Sequence, residues 1–400
     1  MDTHRTYTRN DSPQLRPLKV AVIGLGKMGL SHLSIIKPHP DVTLTAVCDA
    51  SKLVLEVLHK YTGVEVYSDA TRMLAAVETD AVVVATPTAS HLDLVSAAVD
   101  AGKHVFCEKP LTLRPEDSLA LVRAAHTRQV HHQVGYHYRF VAAFQECKRL
   151  LDAGAVGRVV HAQAEAYGPV ILKTSGSTWR SRRDQGGGCL YDYAAHPIDL
   201  LNWYLGEPLS VSGTVMGTIL SAETEDEVYA TIRYPEGVSS QLSVNWSDES
   251  QRKMSTRVRI WGTHGTIDVD RQECQVYLRG PDVPDGYHQG WNVRYTTDLS
   301  NPVNHYVRGE EYSAQLDYFV DRCLDRSSGA MVEGSGAADF ASAAQTDEVI
   351  GMLLRDRDSG TATARPDVAV RTAPPSRSGR TARPGRLRRV GATARKILAR

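Results

Sequence analysis

The chain has 400 residues, 42% hydrophobic and 23% charged, enough for full cores in two domains without metal or disulfide staples. No apolar stretch is long enough to cross a bilayer, and residues 1–17 lack the apolar centre of a secretion signal. The formal charge of zero hides an asymmetry: residues 361–400 carry eleven Lys/Arg and one acidic residue, Asp367, leaving 35 basic against 45 acidic side chains in residues 1–360.

Residues 1–17 read as a loose arm. Residues 18–23 (LKVAVI) form a short apolar run, ended by glycines and followed by a helical pattern at Met28, Leu30, Leu33 and Ile36 that Pro38 and Pro40 stop. Further apolar runs lie at 43–48, 81–85 and 104–107, with a last one at 130–135, and helical patterns at 90–101 and 115–127. Near-continuous Val/Ile runs alternating with helices predict a parallel sheet covered on both faces, in a first domain over 18–144. From 145 the texture changes. Helices are expected at 145–153, 191–205, 315–324 and 337–354, and alternating runs at 159–167, 209–217, 227–234, 239–247, 257–261, 265–269 and 275–279. This predicts a second α/β domain over 145–357 with a mostly antiparallel sheet. Residues 358–400 are rich in Arg, Pro, Ser, Thr and Ala and are expected to be a disordered basic tail. Its last stretch places Leu387, Val390, Ala394 and Ile397 on one side of a short basic helix. A solvated tail is the plain expectation; contact with an anionic membrane surface is the other.

Gly24-Leu25-Gly26-Lys27-Met28-Gly29 follows a strand and opens a helix, the context in which this spacing binds a dinucleotide. Gly24 permits the tight turn, Gly26 lets the backbone approach a pyrophosphate, and Gly29 lets the helix pack on the sheet. The phosphates then meet the free N–H groups of Lys27 and Met28 at the helix start. Asp49 ends the second strand, 20 residues after Gly29, where a carboxylate holds ribose hydroxyls and repels a 2′-phosphate. NAD is therefore expected, and the nearby Ser51 and Lys52 leave room for NADP. Thr86, Pro87 and His91 follow the fourth strand, and Glu108-Lys109-Pro110 the fifth, at the strand ends where open parallel sheets bind ligands.

The run ATPTASHLDLVSAAVDAGKHVFCEKPL, and Gly186-Gly187-Gly188 followed by Asp192-x-x-x-His196, resemble the glucose–fructose oxidoreductase / inositol dehydrogenase (Gfo/Idh/MocA) family over residues 18–355. The resemblance implies a Rossmann domain, an α/β domain whose open sheet mediates oligomerisation, and an active site lined by Lys109, Asp192 and His196. The residue types agree. Asp192 and His196 stand at i and i+4, so a helix projects both from one face. A histidine takes a hydroxyl proton near neutral pH, an ammonium steadies a developing alkoxide, and Asp192 orients the substrate or the imidazole. Pro197, awkward inside a helix, places His196 near a first turn or a kink.

Thr86, Pro87, His91 and Glu108 are expected around the coenzyme. Tyr138, Arg139, Trp179 and Arg180 are substrate-side candidates, because aromatic faces and forked donors suit sugar hydroxyls. The histidines at 131, 132 and 137 lack a carboxylate or thiol cluster, so no metal is expected. The expected protein is an NAD(P)-dependent sugar or cyclitol dehydrogenase, or a ketosugar reductase, moving hydride between nicotinamide C4 and a secondary alcohol or ketone. It is expected to be cytoplasmic and a dimer or tetramer, with no nucleic-acid partner. The alternatives are a glycosidase acting through transient oxidation with retained NAD, and a non-catalytic coenzyme-sensing regulator.

Overall fold

The computed structural model describes residues 16–173, 178–325 and 336–360. Most of the expected arm and tail, residues 1–15 and 361–400, therefore lies outside the described residues.

Six short strands form the first sheet: β1 (Leu18–Ile23), β2 (Val42–Cys48), β3 (Glu65–Tyr67), β4 (Ala81–Val84), β5 (His104–Cys107) and β6 (His132–Val134). All pairs are parallel, in the order β3-β2-β1-β4-β5-β6. Parallel neighbours need crossovers, and these are α1 (Lys27–Ile36), α2 (Lys52–Thr62), α3 (Ala70–Ala76), α4 (His91–Asp100) and α5 (Pro115–Arg128). The strand order reverses between β1 and β4, the switch point beyond whose carboxyl ends such sheets bind ligands. The four residues of β4 are entirely buried, which accounts for an unbroken apolar run rather than an alternating one.

Helix α6 (Ala142–Asp152) leads from this sheet to β7 (Val159–Tyr167). The short helix α7 (Val170–Lys173) follows, then α8 (Ala195–Leu205) and seven more strands: β8 (Ser210–Gly217), β9 (Glu227–Arg233), β10 (Ser239–Asn245), β11 (Ser255–Gly262), β12 (Gly265–Asp270), β13 (Glu273–Leu278) and β14 (Gly290–Tyr295). With β7 they make one sheet, ordered β14-β13-β12-β11-β7-β10-β9-β8. Only the β7–β10 pair is parallel. In β7, Ala162, Ala164 and Ala166 are fully buried and alternate with partly exposed residues, so one small-residue face admits α8 closely. The opposite face carries exposed Trp291, Val293 and Tyr295 at the β14 edge.

The chain closes with α9 (Thr296–Leu299), α10 (Glu310–Cys323) and α11 (Phe340–Ser359). Phe319 of α10 packs on Phe106 of β5, and the backbone N–H of Phe340 donates to His132 Nδ1 of β6, so both helices return to the first sheet. The strands β3 and β14 had no sequence expectation behind them. Both are edge strands, β3 of only three residues, too short to show a period.

Candidate active site

The glycine loop is built from backbone constraints. Gly24 has φ +90°, and a Cβ there would stand 2.6 Å from the carbonyl oxygen of Ala85. A Cβ on Gly29 would stand 1.7 Å from the carbonyl oxygen of Gly24, so only glycine lets α1 start against the loop. Gly26 differs: its Cβ would meet no protein atom within 4 Å, so its side faces open space. Gly26 caps α1, and Leu30 is the first helical residue whose N–H reaches back to the Gly26 carbonyl, at 2.9 Å. The N–H groups of Lys27, Met28 and Gly29 therefore point out of the helix start, a seat for an anion. Asp49 borders it: Oδ2 accepts the N–H of Leu25 at 2.6 Å and Oδ1 the N–H of Ser51 at 2.7 Å. Each oxygen keeps a second lone pair for a hydroxyl donor. Loop, free N–H groups and carboxylate fit an NAD pyrophosphate and ribose.

Lys109 follows β5 at the same edge of the sheet. Its Nζ donates to the carbonyl oxygen of Asp192 at 2.6 Å and to Asp192 Oδ1 at 3.0 Å, across 83 residues of sequence. Arg180 Nε donates to Asp192 Oδ2 at 2.8 Å, and its guanidinium lies 4.6 Å from the Trp179 ring. Burial pushes the Asp192 carboxyl up, but the charges and hydrogen bonds of Lys109 and Arg180 outweigh it and hold it at about 2. The glycine triplet explains how Arg180 is held. The N–H of Gly188 donates to the Arg180 carbonyl at 3.0 Å, and a Cβ on Gly187 would stand 2.3 Å from that oxygen.

Asp192 lies in a π-helical turn, Leu190–Ala194, directly before α8. Pro197 has no N–H for the carbonyl of Tyr193, and the coil widens there. The widened turn gives Asp192 and His196 different partners. The Asp192 carboxylate is engaged by Lys109 and Arg180, whereas His196 enters an aromatic pocket. Tyr138 lies 4.8 Å from its ring, His137 5.0 Å and Tyr136 6.2 Å. Its Nδ1 is sealed and has no hydrogen-bond partner. Burial first, then Lys109, His137 and Arg271, push its pKa well below the usual histidine value, so the ring is neutral at physiological pH.

His137 stacks on Tyr312 at 4.5 Å, with its Nε2 3.3 Å from the Tyr312 hydroxyl. Burial and Arg271 push His137 down to about 3. Arg271 pairs with Glu311 and lies 5.5 Å from the Tyr138 ring. Sequence reasoning missed Arg271, Glu311 and Tyr312. The Asp-Arg-Gln turn at 270–272 and the start of α10 carry no local signal.

Three candidates need correction. Arg139 is 4% exposed, and both arms of its fork go to Asp199, Nε to Oδ2 at 2.9 Å and Nη2 to Oδ1 at 2.6 Å. A buried guanidinium requires such a partner and has no fork left for a substrate. His91 is fully buried, with Nδ1 3.0 Å from the Pro110 carbonyl and Nε2 3.0 Å from the Thr86 carbonyl. It ties the loops after β4 and β5 together and has no surface for a coenzyme. Tyr138 is 3% exposed and its ring lies 4.8 Å from that of His196, so it walls His196 in and has little surface for a substrate. Thr86 and Pro87 stay at the rim, Thr86 against Gly24, and Glu108 lies between His32 and Lys109.

The crevice and the sheet behind it describe a class, the two-domain pyridine-coenzyme oxidoreductases. Residues 18–136 match the GFO/IDH/MocA family described as "Oxidoreductase family, NAD-binding Rossmann fold", and residues 144–268 match the GFO/IDH/MocA C-terminal domain. The chain is 27% identical to inositol 2-dehydrogenase of Rhizobium meliloti (strain 1021), over 75% of this chain and 90% of that protein. It is 30% identical to scyllo-inositol 2-dehydrogenase (NAD(+)) of Bacillus subtilis (strain 168), over 63% of this chain and 73% of that protein. Among solved structures, levoglucosan dehydrogenase in complex with NADH superposes with a TM-score of 0.74 at 23% identity, covering 86% of this chain and 98% of that one. The chain belongs to the GFO/IDH/MocA oxidoreductase family. It is an NAD-binding oxidoreductase. No helix among the described residues is long and apolar enough to cross a membrane.

Proposed function

We propose that the protein oxidises a secondary hydroxyl of a sugar or cyclitol, or reduces the matching ketone, at the crevice between the glycine loop and the π turn. The observation that carries this reading is the contact of Lys109 Nζ, just beyond β5 of the first sheet, with Asp192, in the π turn before α8, at 2.6 and 3.0 Å, four residues before His196. NAD, when bound, supplies the hydride acceptor or donor at its nicotinamide ring. Gly24, Gly26, Lys27, Met28 and Gly29 would hold its pyrophosphate and Asp49 its ribose, with Thr86, Pro87 and Glu108 alongside.

The protein's own groups do the proton chemistry. Because Nδ1 of His196 is sealed and without a hydrogen-bond partner, Nε2 is the nitrogen left to meet a substrate. The neutral ring takes the hydroxyl proton there. Lys109 holds its ammonium beside the reacting oxygen and lowers the cost of alkoxide character. Asp192 keeps that ammonium aimed, and Trp179 and Arg180 offer a ring face and free guanidinium donors to other hydroxyls. Asp49 disfavours a 2′-phosphate, so NAD is the working coenzyme. The relatives named for inositols and levoglucosan support a polyol substrate. The open face of the second sheet, with Trp291, Val293 and Tyr295 exposed, supports a dimer or tetramer. The free cysteines, five of them buried, fit a reducing cytoplasm.

The test is a panel of inositols, free sugars, 1,6-anhydro sugars and nucleotide sugars with NAD and NADP, following reduced-coenzyme absorbance. His196→Ala is expected to lower turnover by about 100-fold or more while NADH still binds. Near-normal turnover in that variant would remove His196 from the role.

A further inference from the structure

The buried His32–Glu108 pair lies behind the crevice, and the chemistry above gives His32 no role. His32 is on α1, the helix that opens at the glycine loop, and its side chain is fully buried. Its ring lies edge-on to Phe106 of β5 at 5.2 Å. Nε2 lies 2.7 Å from Glu108 Oε1, and Nδ1 has no partner. A carboxylate can only accept, so Nε2 carries the proton and donates. Glu108 Oε2 in turn accepts the backbone N–H of Lys109 at 3.3 Å. A third wall is Gly135, just after β6, where a Cβ would stand 3.2 Å from the carboxyl carbon and Oε1 of Glu108. The carboxylate is thus fixed from α1, from the end of β5 and from the end of β6.

We propose, on the functional reading above, that His32 is a positioning residue for Lys109. By donating Nε2–H it fixes the Glu108 carboxylate that fixes Lys109, and so couples the coenzyme-loop helix to the proton chemistry of the crevice. The titratable groups facing Glu108 are His32, Lys109 and His137, with His91, Tyr312 and Cys107 also within its field; Lys109 carries the fixed positive charge. Burial pushes the Glu108 carboxyl up, and the hydrogen bond and charge of His32, followed by Lys109 and His137, more than reverse it. Without the His32 donor the largest influence opposing burial is removed, and the Glu108 carboxyl moves up. Glu108 then takes up a proton as pH falls, and the negative charge beside Lys109 and His137 is lost.

The experiment compares the full-length wild type with His32→Phe, which fills the volume without a donor, and His32→Gln, whose amide N–H can take the place of Nε2–H. Two readouts are followed across pH: kcat and KM for NAD with the best substrate of the panel, and NADH affinity by fluorescence. For H32F, kcat is expected to fall by about tenfold or more while KM for NAD changes by less than about threefold. The acid limb of kcat, and of NADH affinity, is expected to move up by about one pH unit. H32Q is expected to recover most of both. An H32F protein that melts like wild type with unchanged kcat and acid limb overturns the proposal. Should H32F not fold, His32→Asn, whose shorter amide stops short of Glu108, takes its place with the same expected outcomes. Should wild type turn over nothing in the panel, the functional reading fails separately. The NADH profile then decides His32: a displaced midpoint in the variant supports the coupling, and coincident profiles refute it.

Discussion

The glycine loop and the proposed catalytic crevice lie at the same edge of one sheet and are built by opposite means. The loop is chiefly backbone: a positive φ at Gly24 and a clearance at Gly29, with one side chain, Asp49, holding the Leu25 N–H at 2.6 Å. The crevice is made of side chains: an ammonium and a guanidinium share the buried Asp192, and a neutral imidazole sits in an aromatic pocket. Backbone geometry tolerates almost no change in shape, whereas a charge network tolerates shape and fails on charge. Mutations in the two regions should therefore separate coenzyme binding from turnover.

The largest expected effect is in the loop. Gly29→Ala places a methyl group 1.7 Å from the Gly24 carbonyl oxygen, so the loop must move, and NADH binding should be lost outright. Gly26→Ala meets no protein atom within 4 Å. It should melt like wild type and weaken only the coenzyme. NADH fluorescence titration beside a thermal melt separates the two. In the crevice, Lys109→Met keeps the bulk and removes the charge. Turnover should fall by about 100- to 1,000-fold, the worth of one preorganised electrostatic group, with NADH affinity within about threefold. If K109M instead lost NADH and kept kcat, the contrast between the two regions would collapse.

The same contrast explains what the sequence could reveal. The loop is local, so Gly24, Gly26, Gly29 and Asp49 can be read from spacing alone. The crevice is not. Lys109 and Asp192 are 83 residues apart, and only resemblance to a family brought them together. Arg139 was misread for the same reason: its partner Asp199 is 60 residues away, and an unpaired arginine on paper looks free for a substrate. The π turn did leave a trace in Pro197. His32 left one too, a polar residue inside the buried stripe of Leu33, Ile35 and Ile36, where a histidine needs a partner.

A paired charge that faces no substrate should behave differently from Lys109. Arg139→Ala strands the Asp199 carboxylate, 1% exposed, without its fork. The expected cost is about 3–5 kcal/mol of stability, measured by urea unfolding. Turnover per folded molecule should change little. A variant that stayed stable but lost substrate affinity would return Arg139 to the substrate side.

The smallest expected effect tests a second buried carboxylate, away from the charge network. Asp347 of α11 is buried, and its Oδ2 accepts the N–H of Thr112 at 3.1 Å and the Ser118 hydroxyl at 2.7 Å, while Oδ1 has no partner. Burial pushes this carboxyl up to about 7, against the hydrogen bonds from Ser118 and Thr112. Its value in the folded protein is above that of the unfolded chain, so the folded state binds the extra proton between the two. Stability from this group is therefore greatest at low pH and is lost as pH rises towards 7, by at most about 4 kcal/mol. Asp347→Asn keeps an oxygen for Thr112 and Ser118 and cannot ionise. The variant should melt at or above the wild-type temperature, with a gap that widens from pH 5 to pH 8 and then stays constant. A gap that narrows over that range would mean that the ionised carboxylate stabilises the fold, and that Asp347, like Asp192, is held by charge.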